Sequence, residues 1–202
     1  MEIIHLSPRG FGANTYILYK NGEAIVIDPA NANVEKTLRE KGLHAECVLL
    51  THCHFDHVFG VEMLQEAGAR VYIGAEEKSL VGTGAELAEL FGAPRTNYRV
   101  DETFQDNESK TLCGIRITAL HTAGHTKGSV CYIAEDEGKR YLFSGDTLFA
   151  GSIGRTDFPT GDVRAMRQSL VRLASLDNMP VYAGHGEETT IEREKKENPF
   201  ME

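Results

Sequence analysis

Residues 51–57 read Thr-His-Cys-His-Phe-Asp-His, placing three imidazoles and a carboxylate within six positions directly after the apolar run 47–50. Such a segment cannot be ordinary core. Burying these groups unpaired would cost on the order of several kcal/mol. In extended backbone, side chains two apart point the same way. His52 and His54 therefore share a face, Asp56 continues it, and His57 opens the following turn. Cys53 alternates to the opposite face and reads as a buried bystander. Imidazole and carboxylate together suit Zn, Fe or Mn. The spacing H-x-H-x-D-H differs from the helical H-E-x-x-H zinc pattern.

Three further positions complete a donor set. His125 lies in His-Thr-Ala-Gly-His-Thr at 121–126, Asp146 in Phe-Ser-Gly-Asp-Thr at 143–147, and His185 in Ala-Gly-His-Gly at 183–186. Each follows an apolar run and stands beside glycine, so the three are expected at strand ends that converge on one sheet edge. Seven donors are too many for one tetrahedral ion and enough for two. Two divalent metals are therefore the expected cofactors, Zn first and Fe or Mn next. Asp28, at a strand end, is a candidate acceptor behind a ligand, and His121 another supporting group. His5 and His44 read as structural.

The rest of the chain reads as alternating strands and helices. Runs 14–19 and 23–27 flank Asn21-Gly22, a hairpin signal. Helical spacing follows over 33–41 and 58–67, with strands at 47–50 and 70–73. The stretch 75–91 has a helical pattern broken at Gly82 and Gly84, and 92–110 reads as loop. Strands are expected at 115–120, 129–134, 140–143 and 180–183, and helices at 162–173 and 187–197. A layered α/β domain spanning 1–202 is the expected architecture. The chain carries 30 acidic against 21 basic residues, a formal charge of −9, which disfavours a nucleic-acid partner. No run of 18 apolar residues predicts a membrane span. The N-terminal residues lack the pattern of a secretory signal, so the four cysteines are expected as reduced thiols and the location as cytoplasmic.

The whole pattern resembles the metallo-β-lactamase superfamily, from Asn14 to about Phe200. The resemblance implies an αββα sandwich with the metal site at one edge of the two sheets. It implies His52, His54 and His125 on a first metal, Asp56, His57 and His185 on a second, and Asp146 bridging them. Asp146 stands where true β-lactamases often have cysteine, which points away from lactams. Within the superfamily, Phe-Ser-Gly-Asp-Thr-Leu-Phe at 143–149 and Gly-Arg-Thr-Asp-Phe at 154–158 are similar to glyoxalase II-like hydrolases, which cleave hydroxyacyl thioesters of glutathione. Arg155 is implied as a substrate-binding residue that grips a glutathione carboxylate. The chain departs from that pattern at Asp157 and Glu187, where the family often has tyrosine, and a single domain without the family's C-terminal helical glutathione-binding domain is expected. The expected partner is a small-molecule thioester whose thiol carrier stays open.

The expected reaction is attack of a metal-activated water on the thioester carbonyl, with Asp56 and Asp146 as catalytic carboxylates. A thiol has a pKa near 8.5, so thiolate departs without a dedicated acid. The block at 154–158 also resembles persulfide dioxygenases, in which one Fe would be held by His52, His125 and Asp146. Lactone or phosphodiester hydrolysis, and a non-catalytic metal scaffold, are further alternatives. The stretch 150–154, Ala-Gly-Ser-Ile-Gly, falls one residue short of a serine nucleophile elbow and leaves the histidine cluster unexplained.

Overall fold

The computed structural model describes residues 1–8, 12–30 and 33–201. The first half of the chain builds a mixed sheet from β1 (Glu2–Leu6), β2 (Thr15–Lys20), β3 (Glu23–Ile27), β4 (His44–Leu50), β5 (Arg70–Gly74) and β6 (Glu102–Phe104), in that spatial order. β1, β2 and β3 pair antiparallel; β3 to β6 pair parallel. The second sheet contains β7 (Ser109–Leu112), β8 (Ile115–His121), β9 (Val130–Asp136) and β10 (Lys139–Gly145), then β13 (Pro180–Ala183) and β14 (Thr189–Thr190) beyond β10. Between β10 and β13 lie a short ribbon, β11 (Leu148–Phe149) with β12 (Ser152–Ile153), and the longest helix, Val163–Ala174.

Two-residue periodicity explains why the sheets stack. On β2, Ile17 faces helices while Tyr16 and Leu18 face the other sheet; on β4, Val48 and Leu50 face helices while Leu49 faces inward. The inward set meets Ile115, Ile117, Tyr132 and Phe143 of the second sheet. α1 (Val34–Lys41) and α3 (Val61–Glu66) cover the first sheet through Val34, Leu38, Val61 and Leu64. α4 (Val163–Ala174) and α5 (Ile191–Glu197) cover the second through Met166, Leu170, Leu173 and Ile191. The result is the expected αββα sandwich. Buried hydroxyls tie the sheets across it: Tyr132 donates to the Leu50 carbonyl at 2.9 Å and Tyr16 to the Ala183 carbonyl at 2.8 Å.

Several elements differ from the sequence reading. The single helix expected over 58–67 is two helices, α2 (Phe55–Val58) and α3, divided at Gly60. The Gly60 N–H bonds the Pro29 carbonyl at 2.6 Å, and a Cβ there would sit 2.9 Å from the same oxygen, so a different strand end holds the chain off its helical path. The 75–91 stretch holds two 3-10 turns, Glu77–Leu80 and Gly84–Glu86, with Gly82 and Leu87 at positive φ between and after them. β1, β6 and β7 were not expected. They are edge strands, short or polar, whose pairing comes from the sheet beside them more than from their own hydrophobicity. The last helix begins at Ile191, four residues later than expected, because 189–190 pair with β13 first.

Two substitutions test the sandwich by urea unfolding. Tyr132→Phe removes one of these ties between sheets and is expected to cost about 1 kcal/mol. Ile117→Ala opens a cavity between them and is expected to cost about 2–5 kcal/mol.

Candidate metal centre

The carboxyl ends of β4, β8, β10 and β13 lie at one edge of the sandwich, and each hands the chain to a loop bearing candidate ligands. At the end of β4 the buried Thr51 gives its N–H to Asp28 at 2.8 Å and its hydroxyl to the same carboxylate at 2.7 Å. Asp28 also accepts from His57 Nδ1 at 2.9 Å. One carboxylate thus fixes where the loop starts and which way the His57 ring faces. Such outer partners set the tautomer of a ligand and raise its basicity. His52 Nδ1 lies 3.1 Å from the Thr51 hydroxyl oxygen, and His125 Nδ1 donates to the Arg155 carbonyl at 2.8 Å. In all three rings Nε2 is left to face inward. His54 instead presents Nδ1, 2.9 Å from His125 Nε2.

Three sets of donor atoms lie within 4.8 Å of one another: His52, His54 and His125; Asp56, His57 and His185; His52, His57 and Asp146. All seven residues singled out in the sequence are therefore brought together. Asp146 stands between the sets, 3.3 Å from His57 Nε2 through Oδ1, and 3.5 and 3.6 Å from His125 and His185 Nε2 through Oδ2. His185 Nε2 is 3.2 Å from Asp56 Oδ2. The route differs from the expected one at Asp56. The extended face ends at His54, because α2 begins at Phe55 and carries both Asp56 and His57.

The donors fit a cation. His52 Nε2, His57 Nε2 and Asp146 Oδ1 are buried without a hydrogen-bond partner. Such orphaned atoms cost about 1–3 kcal/mol each unless something satisfies them. Burial and the neighbouring imidazoles hold His52 well below the usual histidine range, and His54 is pushed down to about 3 by burial and by His125. Both are neutral, as ligands must be. His57 moves the other way: burial opposes its charge, but Asp146, Asp56 and Asp28 outweigh it and raise its pKa. Burial would raise the carboxylates, yet His57 and its neighbours draw Asp146 and Asp56 down. The arrangement is a dinuclear metal-binding site whose N and O donors suit Zn, Fe or Mn.

Close backbone approach makes this density possible. A Cβ on Gly184 would stand 2.2 Å from Asp146 Oδ1 and 2.8 Å from His57 Cε1; one on Gly145, itself at φ 49°, would stand 2.5 Å from the Thr51 hydroxyl. Asn14, which the sequence did not flag, clamps the His185 loop: its amide donates to the carbonyls of Ala183 and Gly186, both at 3.0 Å. Its partner His5 bonds the Asn14 side-chain oxygen at 2.8 Å. Cys53 is buried as expected, and burial with the neighbouring Glu77 pushes its thiol well above the usual range. His121 spends its ring nitrogen on the Lys127 carbonyl at 3.0 Å. Ser152 lies in β12, with no helix directly after it.

A cleft of about 260 Å³ opens beside the cluster, with Phe55, Phe91 and Phe158 along one wall. Phe55 stacks on Phe91 at 5.3 Å, and Phe158 packs edge-on against His54 at 5.7 Å. Nothing in the local sequence around 91 announced that contribution. Arg155 reaches the cleft, but its guanidinium forms two 2.8 Å bonds to Asp157 and lies 4.1 Å above the Phe158 ring. Among the described residues no helix is long and apolar enough to cross a membrane.

Comparison with known proteins agrees with this geometry. The family model described as the metallo-beta-lactamase superfamily matches residues 8–185. Hydroxyacylglutathione hydrolase GloC of Haemophilus influenzae is 37% identical over 211 residues, covering 100% of this chain and 97% of its own. The crystal structure of BLEG-1 B3 metallo-beta-lactamase superposes with a TM-score of 0.90 at 32% identity, over 99% of both chains. That of TTHA1623 in a di-iron-bound form gives 0.84 at 32% identity, over 99% of this chain and 100% of its own.

Chelator-stripped protein is expected to take up two Zn2+ per chain in a calorimetric titration. Asp146→Ala and Gly184→Ala, the first removing the central carboxylate and the second crowding it, should each weaken uptake at least about tenfold. Two full-affinity equivalents in either variant would contradict the assignment of Asp146.

Proposed function

The chain belongs to the metallo-β-lactamase superfamily, and on that premise we propose that this metal-dependent hydrolase cleaves thioesters, with hydroxyacyl esters of glutathione or a related thiol as the substrate class. One observation carries the reading. Apart from Arg155, each polar side chain lining the cleft (His54, Asp56, His125, Asp146 and His185) belongs to the metal cluster. None is left over to protonate a leaving group. An amine leaving group needs a proton in the transition state; a thiol, with pKa near 8.5, departs as thiolate. The relation to hydroxyacylglutathione hydrolase GloC, which the match spans almost end to end, supports the same substrate class.

In the proposed assignment His52, His54 and His125 would hold one ion and Asp56, His57 and His185 the other, with Asp146 serving both. Bound there, two divalent ions supply a water acidic enough to ionise near neutral pH and positive charge for the carbonyl oxygen. The chain's own residues do the rest. Asp56, one carboxylate oxygen 3.2 Å from His185, and Asp146 orient the water, whose proton passes to solvent. Phe55, Phe91 and Phe158 hold the body of the ester against the cluster and exclude bulk water from one side. His57 keeps its ring in place through Asp28.

Arg155 remains the proposed substrate-binding cation, but Asp157 already occupies its charge. Both side chains are well exposed, at 59% and 67%. An exposed pair of this kind is worth little and yields to a better partner. A carboxylate on the thiol carrier must therefore displace Asp157 to reach Arg155.

Metal-loaded protein is expected to release free thiol from S-lactoylglutathione, and chelation to abolish the release. No release, with oxygen uptake on glutathione persulfide, would replace the hydrolase by the dioxygenase alternative. Ring opening of nitrocefin without thioester cleavage would replace it by lactam hydrolysis. Asp157→Asn should lower KM for S-lactoylglutathione by about two- to fivefold by freeing Arg155. An unchanged or higher KM would remove Arg155 from the binding site.

A further inference from the structure

Glu77 is fully buried, yet it is neither a candidate ligand nor a member of any ion pair among the described residues. A buried carboxylate without a cation is costly and needs full hydrogen bonding to persist. Its two oxygens are spent on two different loops. Oε1 accepts the backbone N–H of Cys53, the residue between His52 and His54, at 3.0 Å. Oε2 accepts the hydroxyl proton of Thr126, the residue after His125, at 2.7 Å. A hydroxyl has one proton to give. Thr126 gives its proton to Glu77 and accepts from the Ser129 hydroxyl at 2.6 Å, and Ser129 in turn accepts the Thr126 N–H at 3.1 Å. The loop is seated directly on the Glu77 backbone: a Cβ on Gly128 would lie 2.2 Å from the Glu77 nitrogen.

The two loops come from different sheets, one after β4 and one after β8. Near their strand ends they are also tied by Val130 N–H to the Thr51 carbonyl at 2.9 Å. Glu77 reaches beyond that tie to the residues adjoining the three histidines. We propose that Glu77 is a positioning residue: its carboxylate sets the spacing between the His52–His54 loop and the His125 loop and so tunes the three-histidine ion site selectively. The inference goes beyond the thioester reading and rests on the dinuclear centre alone, so it stands or falls independently of which ester is cleaved.

Zn2+ titration of stripped protein against a competing chelator tests it. In a His185→Ala background, which disrupts the Asp56–His57–His185 set, Glu77→Gln is expected to weaken the remaining equivalent by about 10- to 100-fold. In a His54→Ala background, which disrupts the three-histidine set, the same change should alter the remaining equivalent less than about threefold. Thr126→Val, removing only the hydroxyl, should shift affinity in the same direction as Glu77→Gln, and Thr126→Ser should restore it. Melting of the metal-free protein is followed in parallel. If Glu77→Gln does not fold, the Thr126 pair decides. Affinity within twofold of the parent overturns the proposal. So does an equal loss in both backgrounds accompanied by a lower metal-free melting temperature, which would reduce Glu77 to general packing.

Discussion

Imidazoles crowded at centroid distances of 4.1 to 4.8 Å repel as soon as more than one is protonated, and burial removes the water that would screen them. That constraint governs the rest of the molecule. His52 and His54 stay neutral while His57, facing three carboxylates, attracts the proton. A group of donors that pulls a proton toward its centre is a group that stabilises a cation there. The carboxyl groups around the cluster are all turned to this demand: Asp56 and Asp146 belong to the donor sets, Asp28 bonds a ligand ring, and Glu77 bonds the backbone between two ligands. Buried ionisable groups are tolerated only when paired and hydrogen-bonded in this way.

The sandwich meets this demand through strand direction. β4 in the first sheet and β8, β10 and β13 in the second all end at the same edge, so four loops converge there, and the long connection from β10 to β13 adds Arg155 and Phe158 to the cleft. Sheet packing behind that edge is dry and apolar, with Ile27, Leu49, Tyr132 and Phe143 buried. The loops are thus anchored on rigid strands, and glycines at 145 and 184 let backbone approach where a side chain would collide with the centre. Catalytic precision of this kind comes from strand ends more than from the loops themselves.

The metal donors were legible because ligation demands particular residue types, and strand ends announce themselves through apolar runs. H-x-H-x-D-H, His125, Asp146 and His185 each carry that local signature. The two-fold alternation of β2, β4, β5 and β9 was legible for the same reason, since each face must be buried. What escaped is non-local. Glu77 sits in an unremarkable Ala-Glu-Glu-Lys, and its role exists only where one loop 24 residues before it and another 49 residues after it meet on it. Asn14 acts on a loop 172 residues away, and Phe91 reaches the cleft from a turn with no periodic pattern. The alternation argument failed at Asp56 because a helix starts one residue before it. Gly60, held by the Pro29 carbonyl, then ends that first turn early, a contact no window of sequence contains.

The centre is also asymmetric in how far its donors are withdrawn from solvent. His52, His54 and His125 are 3% exposed or less, whereas the side chains of Asp56 and His185 are 18% and 36% exposed. An ion in the three-histidine set would have nearly buried ligands from two sheets, joined through Glu77, with His54 and His125 at the cleft. An ion in the other set faces the cleft, beside the carboxylate of Asp56 and the apolar wall. Exchange of that ion with solvent would be the easier of the two. The cleft itself runs past both sets, touching His54 and His125 as well as Asp56 and His185, so one fold edge presents the whole donor set to a single opening while grading its exposure by burial.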